Sequence, residues 1–166
     1  ENDPQALSAL QALGAQCIAG DLDGSEWMAA LADQQFDAIL ACDVLEHLRR
    51  PEDVLCALNA VLAPTGSLII SVPNIAYAGV VAGLRQGLFD YSDKGQLDRT
   101  HVHFFTRRSL ERSLLDCGWA PRIWEANRVP LEQSEFAGCW KDLSDAQRSS
   151  LRDGWHDFDV YQWMVV

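Results

Sequence analysis

Residues 36–72 constrain the fold of this chain more than any other stretch. The run 36–42 is apolar except for Asp37, a pattern that suits a strand covered on both faces, as in a parallel sheet. After an acidic turn at Asp43, Pro51 stands where a first helical residue is preferred, and Glu52 and Asp53 complement the helix dipole. Val54, Leu55, Leu58, Val61 and Leu62 then share one apolar face. Pro64-Thr65-Gly66 turns the chain, and 67–72 reads as a second buried strand. Strand, helix and strand at this spacing make a βαβ unit, so the two strands are expected to run parallel.

The flanks extend this into an α/β domain. Glu1-Asn2-Asp3-Pro4 reads as a strand-end loop, followed by a helical pattern (Ala6, Leu7, Leu10, Leu13) that ends at Gly14, and residues 17–19 predict a strand leading to Gly20-Asp21. A brief helix is expected over 26–32. The run 75–84 is about half the ~20 residues a membrane span needs. With Arg85 beside it and glycines at 79, 83 and 87, it reads as a buried helix. Residues 87–100 are a polar, glycine-containing loop. Thr106 can cap a helix whose Leu110, Leu114 and Leu115 face inward and whose end is Gly118, although Arg107 and Arg108 oppose its dipole. Residues 119–126 and 160–166 are expected to be closing strands, with a capping box at Ser144 and Gln147 opening a helix between them. The whole of 1–166 is read as one domain, with 75–106 as a lid insertion and 129–156 as a helical insertion.

Composition narrows the partners. A net charge of −11 leaves few Lys and Arg for a phosphate-binding surface, so neither nucleic acid nor an anionic membrane is expected. The five cysteines, at 17, 42, 56, 117 and 139, offer no disulfide framework and no CxxC spacing. Reduced thiols in a cytoplasmic protein are the expectation.

Ligands of open α/β sheets sit outside the carboxyl ends of the strands. That rule selects Asp21 after the first predicted strand, Asp43, Glu46 and His47 after the next, and Ser71, Pro73 and Asn74 after the third. The stretch Phe36-Asp37-Ala38-Ile39-Leu40-Ala41-Cys42-Asp43-Val44-Leu45-Glu46-His47 resembles the fourth-strand motif of class I S-adenosylmethionine-dependent methyltransferases. Leu62-Ala63-Pro64-Thr65-Gly66-Ser67-Leu68 is similar to the turn into their fifth strand, with Thr65 where the family usually has glycine. Asp98-Arg99-Thr100-His101-Val102-His103-Phe104-Phe105-Thr106, followed by Ser109-Leu110 and Cys117-Gly118-Trp119, resembles a subgroup acting on polysaccharides, quinones and small metabolites.

The resemblance implies a Rossmann-like sheet, mostly parallel with an antiparallel closing strand, and S-adenosylmethionine as cofactor. The family's glycine-rich turn does not precede Glu1. The expectation is therefore a domain that lacks its first strand, binds cofactor weakly in isolation, and can associate through the exposed sheet edge. By resemblance, Glu1 would meet the ribose, Asp21 and Leu22 the adenine, and Cys42 and Asp43 the methionine part. His47 is the natural base for a small-molecule or sugar hydroxyl, oriented by Glu46 or Asp43. Structurally, Glu46 can instead pair with Arg49, and Asp43 can cap its loop.

His101 and His103 share a face if the segment is extended, and His101 joins the catalytic candidates. Tyr77, Phe89 and Tyr91 are lid or packing residues, Phe104 and Phe105 are core, and His156 is structural or exposed. A second reading comes from similarity to metal-dependent small-RNA and quinone-pathway O-methyltransferases. In it Asp43, Glu46, His47 and His101 or His103 hold a divalent ion that acidifies the acceptor hydroxyl. The rival class is a non-catalytic module that keeps the fold for protein contacts.

Overall fold

The computed structural model describes residues 3–166; Glu1, and with it the expected ribose contact, lies outside the described residues. The βαβ unit forms as the sequence predicts. Strand β1 (Phe36–Cys42), helix α3 (Pro51–Leu58) and strand β2 (Leu62–Pro73) follow one another, and β1 pairs parallel with β2. Register explains how β2 begins five residues before the predicted strand. Pairing jumps from Phe36↔Leu62 to Ala38↔Ser67, so Pro64-Thr65-Gly66 bulges out of a continuous strand. A Cβ on Gly66 would lie 2.9 Å from the Phe36 carbonyl oxygen and the Leu62 side chain, so only glycine passes there.

Two further strands, β3 (Trp124–Arg128) and β4 (Val160–Val165), complete a sheet of order β1-β2-β4-β3. Strand β4 is antiparallel to both neighbours, so the other three share one direction. That is the Rossmann-like arrangement with an antiparallel closing strand. Strand β3 starts later than predicted: Pro121 has no N–H for a ladder, and Arg122 and Ile123 both donate to the single Val166 carbonyl while the Val166 N–H returns to Ile123.

Helices α1 (Pro4–Ala12) and α2 (Glu26–Ala30) precede β1. Asp3 caps α1 by accepting from the Gln5 N–H, and Trp27 anchors α2 in the core. The predicted strand at 17–19 does not form: residues 15–21 carry no strand, and among the described residues β1 pairs on one side only. Nor is β1 covered on both faces: Leu40 remains 67% exposed. Hydrophobic runs encode willingness to be buried, and only tertiary structure supplies the cover.

Helix α5 (Arg107–Asp116) opens on a reciprocal capping box between Thr106 and Ser109. Arg107, which opposes the dipole, stacks its guanidinium 5.0 Å from the Trp124 ring centroid and 5.6 Å from that of Trp163. Cys56 on α3 and Cys117 at the end of α5 form a disulfide across 61 residues of sequence. This corrects the expectation of five free thiols: α3 and α5 meet only in the folded chain, where the two Cα atoms stand 4.8 Å apart.

The segments read as insertions pack on each other. Helix α4 (Ala78–Leu84) from 75–106, and α6 (Ala137–Lys141) and α7 (Asp145–Arg152) from 129–156, surround a second core. Its largest members are Tyr77, Phe136 and Trp140. Helix α4 is buried over Ala78, Gly79, Val80, Ala82 and Gly83, and Ser144 and Gln147 form the predicted box on α7. No described helix is long and apolar enough to cross a membrane.

Candidate active site

Strand β1 ends in a tight turn at Asp43, whose φ of 53° is a left-handed conformation that Asp tolerates better than most residues. The Asp43 N–H donates to the Ser71 carbonyl at 3.1 Å. Its carboxylate accepts from Gln162 Nε2 at 2.6 Å and from Ser71 Oγ at 3.3 Å. Asp43 is thus fixed on the rim by three strands, beyond the simple loop cap considered from sequence.

A 3-10 turn, Leu45–His47, follows. Glu46 is 2% exposed, and neither of its carboxylate oxygens has a hydrogen-bond partner. The alternative of a Glu46–Arg49 pair does not hold, because Arg49 lies 4.0 Å from Asp23 instead. Loss of hydration pushes the Glu46 carboxyl from its ordinary 4.5 to about 7; the nearby Asp43 charge adds to this, and the residue's own N–H, close but outside hydrogen-bonding geometry, offsets part of it. An orphaned buried carboxylate is costly unless something enters to meet it.

The Glu46 main chain assembles the rest. Its carbonyl accepts from the N–H groups of Val102 and His103 at 2.8 and 3.0 Å, drawing the His101 segment alongside. One ligand atom from each of Glu46, His47 and His101 lies within 4.8 Å of the others, and the two imidazoles meet edge-on at 4.9 Å between centroids. His47 Nδ1 is 3.3 Å from the Thr100 carbonyl, and His101 Nδ1 is 3.2 Å from the Gln96 carbonyl. A carbonyl can only accept, so both Nδ1 atoms carry hydrogen, and in the neutral ring Nε2 is the nitrogen with the lone pair. Burial, ahead of the other influences, pulls the His101 pKa down and favours the neutral ring.

These groups line a cleft of about 310 Å³ that also includes Pro73, Gly95, Asp98, Asn127, Tyr161 and Gln162. His103 does not join them: its Nε2 donates to the Arg49 carbonyl at 3.0 Å and its ring stacks on Phe105. The 101–103 segment is not a strand, so the two histidines diverge. A separate cleft of about 300 Å³ at the other end of β2 carries only Arg122 as a charged group.

The remaining sequence candidates are scattered. Asp21 is exposed, with its carboxylate accepting from the Asp23 N–H at 3.0 Å, and Leu22 packs against the sheet-side core. Cys42 is exposed at the end of β1. Tyr77 is a core residue donating to the Val129 carbonyl, whereas Phe89 and Tyr91 stay largely exposed in an edge-to-face pair. Phe105 is core, Phe104 packs on the second core, and His156 is exposed. Sequence reasoning missed Gln96, Tyr161 and Gln162. The strand-end rule finds only strands leading to the rim with their carboxyl ends, and Gln162 arrives on the antiparallel β4.

The profile of the methyltransferase domain family matches residues 3–122 of this chain. The chain belongs to that family. Over 52 residues the domain is 33% identical to the mitochondrial ubiquinone biosynthesis O-methyltransferase of Dictyostelium discoideum; the match spans 31% of this chain and 16% of that protein's length. Two solved structures share the fold of the methyltransferase domain. An S-adenosylmethionine-dependent methyltransferase from Thermotoga maritima superposes with a TM-score of 0.60 at 13% identity, over 100% of this chain and 70% of that one. Another, from Mesorhizobium loti, gives 0.58 at 16% identity, over 99% and 76%.

Proposed function

We propose that the domain transfers a methyl group from S-adenosylmethionine to a hydroxyl of a small molecule or sugar, with His47 as the base. The observation that carries this is the meeting of Glu46, His47 and His101 beside the strand-end carboxylate Asp43. The similarity to an O-methyltransferase supports oxygen as the accepting atom. When bound, S-adenosylmethionine supplies a methyl on a sulfonium that leaves as a neutral thioether. The hydroxyl proton passes to His47 Nε2 as the oxygen–carbon bond forms, because Nδ1 is engaged by Thr100. Asp43, Cys42, Leu22, Asp21 and Glu1 are assigned to the cofactor, and 75–106 to an acceptor lid carrying Phe89 and Tyr91. Two associations complete this reading: cytoplasmic residence, against which the Cys56–Cys117 bond weighs, and self-association along the open edge of β1.

A divalent ion is a second reading, favoured by the orphaned Glu46 carboxylate. Its ligands would be Glu46, His47 and His101, with the Asp43 carboxylate and His103 already engaged elsewhere. The ion would acidify the acceptor hydroxyl.

Methyl transfer from labelled cofactor to a panel of catechols, quinols and sugars, in chelator and in Mg²⁺, tests both readings. His47→Ala is expected to lower turnover about 10²–10⁴-fold while the cofactor Kd stays within a few-fold. Loss of cofactor binding instead would make His47 structural. Activity that vanishes in chelator and returns with Mg²⁺ selects the metal.

A further inference from the structure

Outside the groups assigned above, one polar chain leads toward the cleft from the helical insertion, running from the exposed Glu135 through the half-buried Tyr161 to the buried Gln96. Glu135 Oε1 accepts two hydrogen bonds, from the Tyr161 hydroxyl at 2.8 Å and from the Gln96 N–H at 3.0 Å. Gln96 is fully buried, and its Nε2 donates to the Tyr161 carbonyl. Its own carbonyl faces His101 Nδ1. The turn that makes this possible runs through Gly95, whose φ is 92°. A Cβ there would lie 2.5 Å from Glu135 Oε1 and 3.2 Å from the Tyr161 hydroxyl. The glycine and the carboxylate are therefore fitted to one another.

We propose that Glu135 is a positioning residue for the cleft: by clamping the Gly95–Gln96 backbone it holds the carbonyl that fixes His101 as the Nδ1–H tautomer. Three links make up the path. The carboxylate holds the 95–96 peptide through the Gln96 N–H, and the Gln96 Cα passes that constraint to the next peptide, whose carbonyl meets His101. Tyr161 holds the carboxylate in turn, and burial together with the adjacent Glu135 charge pushes the tyrosine pKa up, so its hydroxyl stays a donor. The fixed Gln96 carbonyl then accepts a hydrogen bond from His101 Nδ1–H, which leaves Nε2 as the only lone pair His101 can offer. A ring nitrogen's partner decides which tautomer is present, so a residue two contacts away can decide what the cleft presents. Glu135 belongs to the 129–156 insertion, which gives that segment a task inside the site. The inference rests on reading Glu46, His47 and His101 as the site, but its test reads the ring directly and needs no acceptor.

Long-range ¹H–¹⁵N spectra of this chain at about pH 8, where imidazoles are neutral, resolve the nitrogens of its four histidines. His101 is expected to show one protonated and one unprotonated nitrogen, with Nδ1 protonated. In Glu135→Ala the two His101 signals should move toward each other as tautomers mix, while His103 and His156 stay in place. Glu135→Gln, whose amide oxygen can accept the same two bonds, should restore the native pattern. Unchanged His101 signals in a folded Glu135→Ala protein would overturn the proposal, as would failure of Glu135→Gln to restore them. If Glu135→Ala does not fold, Tyr161→Phe decides: removing one of the two donors must shift His101 in the same direction, and a still spectrum rejects the idea. Absence of methyl transfer by the unsubstituted protein, with these spectra as expected, would refute the functional reading alone.

Discussion

The two cores of this domain are built differently. Behind the sheet, Leu55, Leu58, Ile70, Leu110 and Val165 interlock as mostly aliphatic side chains on regular elements. Under the helical insertions, Tyr77, Phe136 and Trp140 pack with small residues of α4, and their polar atoms find partners: Tyr77 with the Val129 carbonyl, Trp140 Nε1 with Glu132. The cleft lies on the seam. The sheet lines it with Asp43 and Gln162, braced by Ser71; the cap lines it with His101, with Gln96 and Glu135 standing behind. An aliphatic core can hold a strand end rigid, but only the aromatic, hydrogen-bonded side can tell a histidine which nitrogen to protonate.

The largest test of that contrast is Trp140→Ala, which empties the centre of the cap. Large-to-small changes at such sites cost about 3–5 kcal/mol. Urea denaturation followed by far-UV circular dichroism should show that loss. A single transition with unchanged slope would mean the two cores unfold as one unit; a new early transition would mean the cap melts separately.

Next in size is Glu46→Gln at the seam. A carboxyl raised in the fold favours the protonated state, so its contribution is fully present below the unfolded value and is lost as pH climbs through about 7. Wild-type stability should therefore fall by up to about 3 kcal/mol between pH 4.5 and 7 from this group, and Glu46→Gln should remove that fall. Thermal melts across the range check it. An identical pH slope in the variant would show that Glu46 is not the group responsible.

On the sheet side the effects shrink. Thr106→Ala, which breaks the capping box, should cost about 1 kcal/mol. Arg107→Met, which leaves Trp124 and Trp163 without a cation, should cost about 0.5–1 kcal/mol. Neither should shift the His101 nitrogen signals. If either does, the cleft is coupled to the sheet as tightly as to the cap.

Much of this was legible residue by residue. The span 36–42 matches β1 to the residue, Pro51 starts α3, Thr106 caps α5 and the Ser144–Gln147 box opens α7, whereas the return bond from Ser109 to Thr106 was not foreseen. Such signals are local: periodicity, proline and caps act within a few residues. The strand expected at 17–19 failed because a short apolar run forms a strand only where a neighbour pairs with it. The Cys56–Cys117 bond was hidden because it depends on two helices meeting across 61 residues. His103 left the site because a curved segment does not keep the period of a strand.

By itself, the sequence determined the parallel βαβ unit, the rim on which Asp43, Glu46 and His47 stand, and the family to which they point. Only the tertiary structure decided that Glu46 is buried without a partner, that His101 rather than His103 meets it, and that Gln96, Tyr161 and Glu135 stand behind that histidine. The reason is physical. Helix and strand preferences arise from neighbours in the chain, whereas desolvation, tautomer choice and ligand geometry depend on atoms that distant segments bring within a few ångströms.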